Sequence, residues 1–366
     1  MEPLPWQALP GDEALRPPTG FKLRISRKCI DFLRMTLTFI PNMNQRPALP
    51  LPRRAVLAGL VALAAVPRAV TASEPLKVAT TTGMIADAAR QVGGELVDVK
   101  GLMGPGVDPH SYRQTRSDII TLTRADLVLW HGLFLEAQMQ DFMLDLGRKR
   151  AVVAVGEAVP VEKRRAHDTY PDKYDPHVWM SPALWTYVVS AVAAALSEAR
   201  PDHAETFAAN AARHLAEIER LGDYAASSMA GIPEGKRVLV TAHDAFGYFG
   251  RDYGIEVLGI QGISTETEAG LNRIGSLVDM LVERDVGAVF VESSVSDRNI
   301  RALIEGAAAR GHEVRIGGEL FSDAMGPDGT YEGTYVGMID HNVTAIAGAL
   351  GAEVPAGGLN GKLARS

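Results

Sequence analysis

Cysteine is all but absent. The 366 residues contain one, Cys29. From Ser73 onward there is none, which excludes a disulfide framework and a thiolate metal site in that part. No Gly-x-x-x-x-Gly-Lys occurs, so the chain carries no phosphate cradle for ATP hydrolysis of that kind. A long apolar run is missing too. Ala55–Val66 spans 12 residues, short of the ~20 that a membrane-crossing helix needs. Basic charge is scarce beyond Ala72: 27 of the 37 basic and 40 of the 44 acidic residues lie there, a net of −13. Such a surface argues against nucleic acid or an anionic membrane as partner.

The segment up to Ala72 reads as a leader. Arg53-Arg54, the short apolar run and the small residues Val70-Thr71-Ala72 have the layout of a secretory signal cleaved near Ala72. Residues 1–42 include proline-rich pieces that match no targeting segment, and the expected true start is Met43 or Met35. With no cysteine at the cleavage site, the expectation is a periplasmic protein that is not a lipoprotein.

The remainder, from Ser73 onward, suffices for two domains of ordinary size. Short β-branched runs such as Leu76–Thr81 and Leu127–Trp130 alternate with helical patterns, which predicts parallel βαβ units. A serine cap is expected on a helix at Ser117–Thr123, and an amphipathic helix at Leu133–Leu146. From Pro201 to Met229 the residues Phe207, Ala211, Leu215, Ile218, Leu221 and Ala225 recur at three- and four-residue steps. A helix of that length is about 43 Å long, more than one small lobe needs. The expected fold is α/β: two similar lobes, each a mostly parallel sheet flanked by helices, joined by this spine. The expected boundaries are 73–200 for the first lobe, 201–230 for the linking helix and 231–350 for the second lobe. A disordered tail is expected over 351–366.

The tripeptide Asp-Pro-His occurs twice, as Asp108-Pro109-His110 and Asp175-Pro176-His177, each time shortly before an aromatic. Proline fixes its own φ and holds the preceding residue extended. Each histidine is therefore presented from a stiff loop, which suits a metal ligand met at ~2.0–2.1 Å. His243 ends an apolar run further along the chain. Asp323 lies beyond it, competing with Glu319, Asp328 and Asp340 as the nearby acid. Asp108, Asp175 and Asp244 adjoin the histidines, either orienting them or capping turns. His203 and His214 fall on the spine and are expected to face solvent. Trp179 and Tyr112 are expected to pack. Glu162–Tyr174, with the single histidine His167, is expected to be a solvated loop.

The two Asp-Pro-His motifs, Val240-Thr241-Ala242-His243-Asp244-Ala245-Phe246-Gly247-Tyr248-Phe249 and Gly317-Gly318-Glu319-Leu320-Phe321-Ser322-Asp323-Ala324-Met325-Gly326 together resemble the substrate-binding proteins of manganese/zinc ABC importers, TroA-like subgroup. The likeness runs from Ser73 to about Leu350. It implies one Zn²⁺ or Mn²⁺ per chain, carried as cargo between the lobes by His110, His177, His243 and Asp323. It implies no enzyme activity, and as partner an integral-membrane ABC permease with its cytoplasmic ATPase. The protein itself would be monomeric. In the manganese-selective branch the third ligand is typically glutamate, and here it is His243. In the zinc branch a long histidine-rich loop precedes the second ligand, and here that loop has only His167. Three imidazoles and one carboxylate suit Zn²⁺ well. The rival expectation is an exported zinc-dependent hydrolase, which would need an open position for water and a base beside it.

Overall fold

The computed structural model describes residues 74–267 and 270–364. The expected leader and signal segment, residues 1–72, lies outside the described residues.

The first lobe begins with β1 (Leu76–Thr80) and α1 (Gly83–Gly93), then β2 (Val97–Gly101), α2 (Arg116–Arg124) and β3 (Leu127–Trp130). It ends with α3 (Gln140–Gly147), β4 (Ala151–Ala154) and α4 (Pro182–Ala199). The four strands make one parallel sheet in the order β2-β1-β3-β4. All four residues of β3 are buried, as a sheet covered on both faces requires. Leu127 and Leu129 enter the large core on one face, and Val128 and Trp130 enter a smaller core with Leu122 and Met143 on the other.

The spine is α5 (Ala204–Ala230), 27 residues after a single 3₁₀ turn at Pro201–His203. At about 1.5 Å per residue it is ~40 Å long. Its buried stripe is Phe207, Ala211, His214, Ile218, Leu221, Ala225 and Met229. His214, expected to be solvated, occupies the stripe, while Leu215 is only half-buried.

The second lobe repeats the parallel βα theme with β5 (Val238–Thr241), α6 (Gly247–Tyr253), β6 (Glu256–Gly259) and α7 (Leu271–Glu283). It continues through β7 (Ala288–Glu292), α8 (Arg298–Ala308), β8 (Arg315–Leu320) and α9 (Tyr335–Ala349). β5 pairs with β6 and β7 with β8, all parallel, and β5 lies beside β7. Val238 and Val240 face a core of Leu277, Leu281, Val289, Ile300 and Leu303, while Leu239 faces the large core shared by both lobes. That shared core joins Met84 and Trp185 of the first lobe, Ile218 and Leu221 of the spine, and Phe249, Tyr335 and Ile339 of the second. Each such side chain contributes about 1.5–3 kcal/mol by leaving water.

Three local expectations are corrected. The cap of α2 is Thr115, not Ser117: its hydroxyl accepts the Asp118 N–H, and the Asp118 carboxylate accepts the Thr115 N–H at 2.7 Å, closing a capping box. No helix starts at Leu133. Gly132, Leu133 and Phe134 all have positive φ (76°, 54° and 69°). This turn brings the buried Glu136 back to accept the N–H groups of His131 and Gly132 and the Thr81 hydroxyl, so helical structure resumes only at Ala137. The tail is packed over 351–364 rather than disordered: the Leu359 N–H donates to Asp340 Oδ1 at 2.8 Å, Asn360 donates to the Tyr331 hydroxyl, and Leu363 is buried.

Candidate metal centre

His110 follows β2 by way of Gly104-Pro105-Gly106. The Asp108 carboxylate accepts the His110 N–H at 2.9 Å and the Ser111 hydroxyl at 2.9 Å, fixing the turn. His177 stands at the exit of the 162–174 loop, just before Ser181, whose hydroxyl caps α4. Asp175 Oδ1 accepts both the His177 N–H at 3.0 Å and its ring Nδ1 at 2.8 Å. His243 leaves the carboxyl end of β5, with its N–H on Glu292 Oε1 at 2.9 Å and its Nδ1 2.5 Å from Glu292 Oε2. Asp323 follows β8. All four sit in loops beyond the carboxyl ends of strands, where ligands gather in open α/β sheets.

The structure brings these four together. One ligand atom from each of His110, His177, His243 and Asp323 lies within 4.8 Å of all the others, and all four residues are buried. Asp323 Oδ1 is 3.4 Å from His177 Nε2, and Oδ2 is 3.2 Å from His243 Nε2. His110 Nε2 is 3.2 Å from His177 Nε2. The first lobe supplies two of the residues and the second lobe the other two. Both Asp323 oxygens and His243 Nε2 are buried without a well-aligned protein hydrogen bond, which marks them as groups aimed at something other than the protein. Three imidazoles and a carboxylate in that space fit one tetrahedral transition-metal ion.

Charge sharpens the arrangement. Burial pulls His110 down to about 3, against the pull of Asp323. Burial also opposes charge on His177, but the Asp175 hydrogen bond and the nearby Asp175 and Asp323 charges outweigh it and raise that imidazole to about 9. His243 is pushed well above its ordinary range against burial, by the Asp323 and Glu292 carboxylates. Asp323 is held well below the usual carboxylate range: burial works the other way, but the charge of His243 and the close approach of His177 prevail.

Four of the remaining histidines are engaged elsewhere. His131 donates from Nε2 to the Pro176 carbonyl at 2.7 Å and so braces the second Asp-Pro-His from beneath. His312 and His341 bond to the backbone carbonyls of Val286 and Glu319. His167 Nδ1 accepts from Thr169 and Tyr170. Of the flanking acids, Asp175 orients its histidine through the ring, whereas Asp108 caps a turn. Asp244 is half-buried, and its carboxyl is pushed up by burial and by the nearby Asp175 charge. Sequence reading missed Glu292, the partner of His243. The only signal for it was an acid closing an apolar run, a pattern with many other causes. Trp179 packs as expected and also bridges the lobes, its indole N–H donating to the Ser322 carbonyl at 2.8 Å.

Two α/β lobes closing a buried three-histidine, one-carboxylate cage form a solute-binding protein of a metal importer. Residues 78–349 match the ZnuA family, zinc-uptake complex component A, periplasmic. The chain is 48% identical over 281 residues to the manganese-binding lipoprotein MntA of Bacillus subtilis, covering 76% of this chain and 91% of that one. It is 46% identical over 273 residues to the zinc-binding protein TroA of Treponema pallidum, covering 75% and 88%. The solved structure of periplasmic zinc-binding TroA superposes with a TM-score of 0.74 at 45% identity, covering 76% of this chain and 99% of that one. The chain belongs to the ZnuA family of metal-uptake binding proteins, which are not enzymes, and the hydrolase alternative finds no support.

One expectation is overturned by these relatives. MntA of Bacillus subtilis is a lipoprotein by name, and so is PsaA of Streptococcus pneumoniae, a manganese ABC transporter substrate-binding lipoprotein 28% identical over 297 residues, 80% of this chain and 94% of that one. They imply an extracytoplasmic lipoprotein, against the reading of an unlipidated one. That reading rested on the residues around Ala72 alone, which lie outside the described residues and say nothing of an anchor placed elsewhere.

Proposed function

We propose that this chain captures one divalent transition-metal ion, zinc or manganese, on the outer side of the cytoplasmic membrane and hands it to the permease of its importer. His110, His177, His243 and Asp323 are the ligands. The observation that carries this reading is the convergence of four buried ligand atoms within 4.8 Å, two from each lobe. An ion bound there ties the lobes together, and its release requires one lobe's pair to withdraw. We further assign the lobes to 73–200 and 231–350 with the linking helix at 201–230, and a monomer as the working form. With three nitrogens to one carboxylate, the Irving–Williams order favours zinc over manganese.

The test is a competition titration of metal-stripped protein against chelators of known affinity, with Zn²⁺ and Mn²⁺ run separately. The expected result is one ion per chain, with zinc bound more tightly. Failure of both ions to bind one to one would overturn the assignment.

A further inference from the structure

The 162–174 loop is largely exposed, as its composition suggests, but its base is held. Its end folds back on itself: the Asp175 N–H donates to the Arg165 carbonyl at 2.9 Å, and Ala166 bridges Tyr174. The neck of this closed loop is gripped from the opposite lobe by Tyr248 of α6. The Tyr248 hydroxyl donates to the Asp175 carbonyl at 2.8 Å and accepts the Arg165 N–H at 2.9 Å. One fully buried phenol thus fixes both strands of the loop that presents His177.

The Arg165 side chain adds a second hold. Its guanidinium lies 3.4 Å from Asp175 Oδ2 and rests over the Tyr248 ring, 5.8 Å from its centre. Asp175 therefore divides its oxygens, Oδ1 for His177 and Oδ2 for Arg165. Gly247 leaves the room: a Cβ there would stand where the guanidinium does. The charge of Arg165 also reaches Asp244, the neighbour of His243. One cation thus serves the carboxylates beside a histidine of each lobe.

We propose that Tyr248, from across the lobe boundary, and Arg165, from within the loop itself, are positioning residues that set the ratio of zinc to manganese affinity by holding the His177 ring in place. The proposal rests on the ligand assignment above. Zinc gains most of its binding from imidazole nitrogen in a compact tetrahedral shell, whereas manganese suits carboxylate and water oxygen. Freeing one imidazole therefore costs zinc more than manganese. A clamp that served the fold alone would affect both ions alike.

The experiment compares wild-type full-length protein with Tyr248→Phe and Arg165→Gln, each stripped and titrated with Zn²⁺ and Mn²⁺ against chelators. Zinc affinity is expected to fall about 10-fold in Tyr248→Phe and manganese affinity less than about 3-fold, the range for partners that act through a ligand. Arg165→Gln is expected to shift the ratio in the same direction. It leaves every backbone bond of Tyr248 in place, so it decides the matter should Tyr248→Phe fail to fold. A zinc-to-manganese ratio equal to wild type in the folded variants overturns the proposal, whatever happens to the separate affinities. Wild-type protein that binds neither ion overturns the ligand assignment instead.

Discussion

His177 and His243 have the same task and are supported in different ways. His177 takes its carboxylate from Asp175, two residues upstream in the same stiff tripeptide. His243 takes its carboxylate from Glu292, 49 residues downstream on the adjacent strand β7. His110 has neither arrangement: among the described residues no carboxylate orients its ring through a hydrogen bond, and burial dominates its charge state. A ligand oriented from within its own loop can be moved with that loop. A ligand oriented across two neighbouring strands moves only with both of them.

Removing a ligand has the largest expected effect. His243→Ala or Asp323→Ala is expected to weaken zinc binding by more than the ~100-fold ceiling for outer partners, as chelator competition would read. Retention of wild-type affinity by either variant would remove that residue from the site. Next come the two partners themselves. Asp175→Asn and Glu292→Gln are each expected to cost about 10–100-fold in zinc affinity. A large loss in one and none in the other would show that only one histidine depends on its carboxylate.

The proton balance is a finer probe. His177, raised to about 9, and His243, raised well above its ordinary range, are both charged in metal-free protein at neutral pH. A metal needs them neutral, so binding expels about two protons at pH 7. Affinity therefore rises with pH until these groups lose their protons unaided, above about 9 for His177. Calorimetry at pH 7 in buffers of different ionisation heat measures the release directly, and identical heats in all buffers would contradict it. The smallest effect is a control away from the site. Thr115→Ala removes one half of a capping box and should lower stability by ~1 kcal/mol, seen in urea melts, with metal affinity unchanged.

The same contrast explains what could be read beforehand. Asp175 and both Asp-Pro-His loops are local, and proline stiffness makes them visible in a string of letters. The spine stripe was visible as well, although the buried position fell to His214 rather than Leu215, because apolarity stood in for burial. Glu292 was invisible, since its role depends on β5 lying beside β7. Tyr248 stood out only as one letter of the motif after His243, and only the packing of α6 against the other lobe shows its phenol gripping Asp175. The turn at Gly132-Leu133-Phe134 defeated periodicity for a related reason: the buried carboxylate of Glu136 binds the His131 and Gly132 N–H groups ahead of it, and the apolar spacing there gives no sign of that.

The start of α9 has a consequence for the whole chain. The first helical N–H, that of Tyr335, donates at 2.9 Å to Asp87 of α1, 248 residues earlier, and the Tyr335 hydroxyl donates to the Trp179 carbonyl. The last helix of one lobe is thus completed by the first helix of the other. The large core likewise runs through both without a seam. Neither lobe can melt while leaving the other finished, so calorimetry should show one transition rather than two. Ligation at the centre then raises the melting point of the entire body, by about 2.7 kcal/mol of added stability at a free ion concentration 100 times Kd. A simple thermal scan thereby becomes a gauge of how full the site is.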